Sequence, residues 1–299
     1  DSVACLRRTF SVAKPVARAR IYVTARGCFD LQLNGRRVGD DHFANGWTSY
    51  GKRLDTLTYD VTSQLRAGAN TLEVQLGAGW YAGRITWDKK VKNFYGKNPE
   101  LLLQLEIVYA DGSSEVVASD GEWQGTFDGP IVSSSLYDGE EYDARRQPTD
   151  WKPVTAVAAL GDARLTPKPF PPVRAEQTLA VQNISEPQPG RYVFDLGQNM
   201  VGWARLKIPV EKDKTVTLRF AEMLNADGTL YGRYGSWQHQ RDSNDATTAG
   251  YKAALNEALT VHRGYPANKP ALEPKQGGPV PFKIPVEMPS LAGTYEREL

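Results

Sequence analysis

Apolar and polar residues alternate with period two through most of the first half of the chain. From Arg18 to Ala25, the residues Ala19, Ile21, Val23 and Ala25 fall on one side, and Phe29, Leu31 and Leu33 continue the apolar row. Successive strand residues point to opposite faces, so this pattern predicts strands with one face buried. Asn34-Gly35 follows, and both residue types accept the positive φ of a two-residue hairpin turn. A second hairpin is predicted from Leu101 to Tyr109, through Ala110-Asp111-Gly112, and back along Glu115 to Ala118. Shorter strands are expected at Leu57 to Val61 and Asn70 to Leu76. Short strands separated by turns at this spacing predict a jelly-roll-type β-sandwich over residues 1–147, not βαβ units.

The pattern breaks between Gln147 and Arg174, where Pro148, Pro153, Pro167, Pro169, Pro171 and Pro172 remove backbone donors. Residues 148–173 therefore read as a stiff, extended linker. Alternation resumes at Tyr192, Phe194 and Leu196, at Trp203 to Ile208, and at Val216, Leu218 and Phe220, which predicts a second, smaller β-sandwich over 174–235. In the remaining 236–299, Tyr251, Ala254, Leu255, Ala258 and Leu259 recur at helical spacing between Thr247-Thr248 and Gly264. They predict one short amphipathic helix. Pro266 to Pro289 is proline-rich and is expected to run extended along a surface. The fold class read from the pattern is all-β.

At 299 residues the chain suits two domains. Its 36 basic and 35 acidic residues nearly cancel, which argues against nucleic acid and against an anionic membrane as partners. Nowhere is there an apolar run of roughly 18 to 20 residues, the length that spans a bilayer. Asp1 to Phe10 lacks a signal-peptide core, so the expectation is a soluble chain with any targeting segment removed or upstream. Cys5 and Cys28 fall in neighbouring predicted strands, as a bridge or as two small buried thiols, and leave the compartment open.

His42, His239 and His262 belong to no metal-binding or nucleophilic arrangement. The glycine-rich Gly77 to Gly83 lacks the Lys-Ser/Thr ending of a phosphate cradle and reads as a loop that carries aromatics to a rim. A glycosidase needs two carboxylates roughly 5 to 10 Å apart. Glu140 and Glu141 invite that reading, but neighbours on a strand face opposite ways, and a structural turn is the competing interpretation. Asp40 and Asp41 follow the first hairpin, while Trp80, Tyr81, Trp87, Asn93, Tyr95 and Asn98 crowd one stretch. Aromatic faces beside carboxylates and amides suit sugars, and adjacent oxygens could hold calcium. The alternative is that the aromatics are core and the polar residues cap loops.

Leu33 to Asp40, Gly46-Trp47-Thr48, Thr58 to Thr62, Gly79-Trp80-Tyr81, Tyr137 to Glu140 and Tyr142 to Arg145 resemble the N-terminal β-sandwich of bacterial α-L-rhamnosidases. Val193 to Trp203, Arg219 to Glu222 and Asn225 to Tyr231 resemble that family's next β-domain. The resemblance implies a calcium-assisted rhamnose-binding module, with Asp40 as the acid and Asn93, Asn98 and Pro99 as contacts on a facing loop, and Asp40 with Asn93 as metal ligands. Asp41 stands where the family would have an amide. The resemblance also implies a helical (α/α)₆ catalytic barrel after these domains, for which the residues past Tyr231 supply one predicted helix and no acidic motif.

The leading expectation is thus a carbohydrate-binding or accessory region that recognises terminal L-rhamnose or a related polysaccharide. A glycoside hydrolase is the second reading, with Glu140, Glu141 and Glu222 as the carboxylates to test. A protein-interaction module is the third, with the tail from Pro266 to Leu299 crossing another copy of the chain in a homo-oligomer. The resemblance implies a bacterial protein of the periplasm or the exterior.

Overall fold

The computed structural model describes residues 2–86, 88, 90–157, 161–208 and 216–231, with the strands at 283–287 and 295–298. It divides into two compact units, Asp1–Arg174 and Ala175–Leu299.

Among its described residues the first unit contains thirteen strands: β1 Ala4–Val12, β2 Val16–Arg26, β3 Cys28–Leu33, β4 Arg36–Arg37, β5 Arg53–Asp60, β6 Gly68–Gly77, β7 Glu100–Tyr109, β8 Ser114–Ala118, β9 Gln124–Thr126, β10 Ile131–Ser135, β11 Gly139–Tyr142, β12 Lys152–Pro153 and β13 Arg164–Pro167. They form a six-stranded sheet in the order β12-β9-β1-β6-β3-β4, a five-stranded sheet in the order β13-β5-β2-β7-β8, and the separate hairpin β10-β11. The predicted alternation fills the space between the two large sheets. Ile21 and Val23 of β2, Leu31 and Leu33 of β3, Leu72 and Val74 of β6, and Leu103, Leu105 and Ile107 of β7 are all buried in one core. Each such side chain stabilises the fold by about 1.5–3 kcal/mol. Asn34 and Gly35 both take positive φ, as the β3–β4 turn requires. The only helical pieces among the described residues are a 3₁₀ turn at Thr62–Gln64 and a single α-turn, α1, at Gly79–Ala82.

The proline-rich stretch is extended, but two parts of it pair with the sheets. Lys152–Pro153 lies antiparallel to β9, and Arg164–Pro167 runs parallel to β5. Both are edge strands, which need backbone donors on one side only, so their prolines are tolerated there.

Cys5 in β1 pairs with Gln75, and Cys28 in β3 pairs with Gly77, so β6 lies between the two cysteines. Two strand spacings of about 4.8 Å put their Cα atoms beyond the reach of a disulfide, and both are free thiols.

In the second unit β14 Asn183–Gln188, β15 Arg191–Asp195, β17 Thr217–Leu218 and β18 Lys283–Glu287 form one sheet in the order β14-β15-β18-β17, and β16 Arg205–Ile208 pairs with β19 Tyr295–Glu298. Two pieces of the predicted tail pair with strands of their own chain, Lys283–Glu287 with β15 and β17 and Tyr295–Glu298 with β16. The predicted helix around Tyr251 to Leu259 lies outside the described residues.

Candidate functional site

Two loops of the first unit converge at one end of the sandwich. The first connects β4 to β5 and is held by main-chain and side-chain bonds to strand ends. Val38 N–H donates to Leu31 O at 2.8 Å, Phe29 N–H donates to Ala44 O at 3.0 Å, and the buried Asn45 Oδ1 accepts from Ala25 N–H at 3.1 Å. The second loop follows β6 and begins with α1. Gly79 has φ +50°, and a Cβ there would lie 2.7 Å from Cys28 Sγ, so only glycine lets the turn pack on β3. The returning stretch lies alongside, with Asn93 N–H donating to Ala82 O at 3.2 Å and Tyr95 N–H to Tyr81 O at 3.3 Å. A Cβ on Gly96 would collide with the Tyr81 hydroxyl.

These loops assemble an aromatic cluster. Tyr50 is fully buried and meets Tyr81 and Tyr95 edge-on, with ring centroids 5.2 and 5.0 Å apart. Above this base, Trp47 stacks on Trp80 at 6.1 Å with 9° between the planes, and Phe43 tilts against the same Trp80 at 6.1 Å. Trp47 Nε1–H donates to the Tyr95 hydroxyl at 3.1 Å, which sets the orientation of the indole. Phe43 remains 54% exposed, Trp47 51% and Phe94 64%. Exposed large aromatics on loops tied to the core make this end of the unit the candidate site.

The neighbouring charges are mostly paired. Arg174 Nε lies 2.8 Å from Asp40 Oδ1, and Val173 O accepts His42 N–H at 2.8 Å, so the end of the proline-rich stretch clasps the loop that carries Asp40. Asp41 is buried and accepts the Tyr59 hydroxyl at 2.7 Å, while its main-chain oxygen accepts from Arg37 at 2.6 Å. Burial and this bond to Asp41 push the Tyr59 phenol well up. Beyond α1, the Arg84 side chain is 8% exposed, lies 3.4 Å from Asp138 and sits 4.9 Å over the Tyr137 ring, joining the second loop to the β10–β11 hairpin.

The profile of the α-L-rhamnosidase N-terminal domain matches residues 14–184, and that of the bacterial α-L-rhamnosidase concanavalin-like domain matches residues 185–265. The chain belongs to the bacterial α-L-rhamnosidase family. It is 45% identical over 237 residues to an α-L-rhamnosidase of Streptomyces avermitilis, covering 76% of this chain and 23% of that protein. It is 40% identical to one of Formosa agariphila, covering 76% of this chain and 25% of the relative. The chain thus spans about a quarter of the length of these curated relatives. Among solved structures, the Streptomyces avermitilis α-L-rhamnosidase complexed with L-rhamnose superposes with a TM-score of 0.69 at 43% identity, covering 78% of this chain and 23% of that one. The native enzyme of Aspergillus terreus superposes with 0.68 at 35% identity, covering 78% and 28%.

Family resemblance implies calcium near Asp40, and the arrangement of side chains does not fit it. Calcium takes six to eight oxygens. Here the Asp40 carboxylate is paired with Arg174 and the buried Asp41 carboxylate accepts the Tyr59 hydroxyl, so both acids are already engaged. No group of three or more His, Cys, Asp or Glu side chains suited to a metal ion occurs among the described residues.

The remaining predicted residues separate. Trp80 and Tyr95 join the aromatic cluster, Tyr81 faces inward as part of its buried base, and Trp87 lies outside the described residues. Asn98 and Pro99 line a different feature, a cleft of about 930 Å³ shared with Arg26, Glu100, Trp123 and Phe127. Glu140 and Glu141 are both exposed, and they occupy successive positions of β11 opposite Ser134 and Ser133, where side chains alternate. Glu222 belongs to the second unit. Phe43, Trp47 and Tyr50 were missed as site residues. Their available signal was three aromatics within eight residues of a stretch that carries no alternation.

Proposed function

We propose that the first unit is a glycan-binding module that presents the Phe43, Trp47 and Trp80 faces to a rhamnose-containing carbohydrate. The observation that carries this reading is the tryptophan stack, with Trp47 half-exposed and Trp80 partly buried beneath it, held by the Trp47–Tyr95 hydrogen bond and a buried tyrosine base. A 6-deoxyhexose such as rhamnose has an unusually apolar edge, which an aromatic face can cover while hydroxyls reach polar neighbours. The rhamnose-complexed relative supports the choice of sugar. Asp40, exposed on the loop that also carries Phe43 and Trp47 and bonded to Arg174, is the hydroxyl acceptor in this reading. Hydrolysis of α-L-rhamnosides, the activity named for the relatives, belongs in this proposal to the whole protein and not to a carboxylate pair of this unit.

Calorimetric titration of the chain with methyl α-L-rhamnoside and a rhamnan oligosaccharide tests it. Saturable binding is expected, weakened about tenfold by Trp47→Ala, roughly the 1.4 kcal/mol a lost stacking contact costs. No binding across a glycan panel would remove the proposal.

A further inference from the structure

The cleft of about 930 Å³ in the first unit is separate from the aromatic platform, since none of Phe43, Trp47, Tyr50, Trp80 and Tyr95 lines it. Its place follows from the strand order. β12 is the outer strand of the six-stranded sheet and β8 is the outer strand of the five-stranded one. Lys152 and Pro153 of β12 line one side of the cleft, and Leu102 of β7 with Ser119, just past β8, lines the other. The sandwich is therefore open along this margin. Leu54, Leu76 and Trp123 form buried parts of the lining, whereas Leu102 is 37% and Phe127 66% exposed. Apolar side chains thus lead from the core to the surface, and the volume falls in the range of about 300–1,000 Å³ that holds small organic ligands.

Charge narrows the class of ligand. Six ionisable side chains line the cleft, and five of them already face an opposite charge. Arg26 Nη1 lies 2.7 Å from Glu100 Oε2, Lys152 Nζ lies 2.8 Å from Asp150, and Asp128 lies 3.6 Å from Arg146. The sixth, Asp120, accepts Glu122 N–H at 2.9 Å. An anionic or cationic head group would have to displace one of these partners. The Arg26–Glu100 pair, with side chains 17% and 28% exposed, instead offers guanidinium donors and carboxylate acceptors side by side with no net charge. Hydroxyls suit such a pair, because each can donate to the carboxylate and accept from the guanidinium.

We infer that this cleft is a second ligand site of the first unit, for an uncharged amphiphile whose alkyl body lies against Trp123 and the leucines and whose hydroxylated head meets Arg26 and Glu100. Burial of the alkyl body drives binding, and the paired charges select the head.

Calorimetric titration of the chain with n-octyl β-D-glucoside, sodium octyl sulfate, octyltrimethylammonium chloride and methyl β-D-glucoside, each below its micelle-forming concentration, tests the inference. The octyl glucoside should bind at one site per chain and about tenfold more tightly than either ionic octyl compound, which must displace a charge partner. Methyl glucoside, which lacks the chain, should bind more weakly still, by at least about tenfold. Phe127→Ser and Leu102→Ser change side chains that reach the surface. Each should weaken the octyl glucoside about tenfold through lost apolar contact and leave the melting temperature and the titration with methyl α-L-rhamnoside nearly as in the parent chain. Arg26→Gln leaves the Glu100 carboxylate without its guanidinium, so octyltrimethylammonium should gain about tenfold and overtake the glucoside. If the ionic compounds or methyl glucoside bind the parent chain as tightly as octyl glucoside, the inference fails. It also fails if the Phe127 and Leu102 variants keep full affinity, or if Arg26→Gln leaves the choice of head group unchanged. Absence of octyl glucoside binding overturns it as well, while the glycan-binding reading, which uses other residues, stands.

Discussion

At the scale of single residues, burial sets the chemistry of the groups near the site. Burial pushes the Cys28 thiol up to about 12, and Cys5 is also raised by burial. With β6 between them, the two remain thiols. Alkylation in denaturant should therefore add two groups per chain with or without prior reduction, read by intact mass, and the native protein at pH 8 should alkylate slowly at Cys28. One adduct pair appearing only after reduction would show a bridge. His42 is held below the ordinary imidazole value, first by burial and then by Arg37. An unfolded histidine titrates near 6.5, so in this window the unfolded state binds more protons. The contribution of His42 is then fully present above about pH 6.5 and is lost as the pH falls toward its lower folded value. An NMR titration should place the His42 midpoint below those of the unfolded chain, and His42→Gln should flatten the stability slope between pH 5 and 6.5. The sequence could place these residues on strands and loops, but it could not show that β6 would separate the cysteines, because strand order depends on nonlocal pairing.

At the scale of elements, period-two alternation identified β2, β3, β6 and β7 because each buries one face, and Asn34-Gly35 identified its hairpin through backbone conformation. Ile21→Ala, at the centre of that core, should cost about 2–5 kcal/mol in denaturant unfolding. The loops carried no comparable code. Phe43, Trp47 and Tyr50 are aromatic residues without periodicity, so only their three-dimensional convergence with Trp80 and Tyr95 shows which are base and which are rim. The glycines of the second loop make this testable. Gly96→Ala would drive a Cβ into the Tyr81 hydroxyl, and it should reduce the near-ultraviolet dichroism of the stacked tryptophans and weaken glycan binding, with the core melt lowered much less. An unchanged aromatic spectrum would mean that the Tyr81 contact does not shape the platform. The acidic pair at Glu140 and Glu141 was legible as unsuitable from sequence alone, since strand alternation separates the two side chains.

At the scale of the whole molecule, the proline-rich stretch decides what the first unit is. Composition alone assigns residues 148–173 to a linker, since proline withdraws donors, but an edge strand needs only half of them, and residues Lys152–Pro153 and Arg164–Pro167 extend both large sheets. The same stretch brings Arg7 within 4.0 Å of the Trp151 ring centroid, packs Val154 on the main core and Ala163 on the tyrosine base, and leads directly into Arg174, which pairs with Asp40. A chain ended at 147 should therefore expose β9 and β5 as new edges and lose one wall of the rim, whereas one ended at 174 should retain both. Calorimetry should give the 1–174 fragment a single cooperative transition. The 1–147 fragment should melt several degrees lower, at the roughly 2–4 °C per kcal/mol expected for a domain of this size, and should bind glycan more weakly, because it lacks the Arg174 that holds Asp40. Equal melting temperatures would make the stretch a linker after all. A lower melt with glycan binding retained would leave its strands structural and take the Arg174–Asp40 pair out of the binding surface.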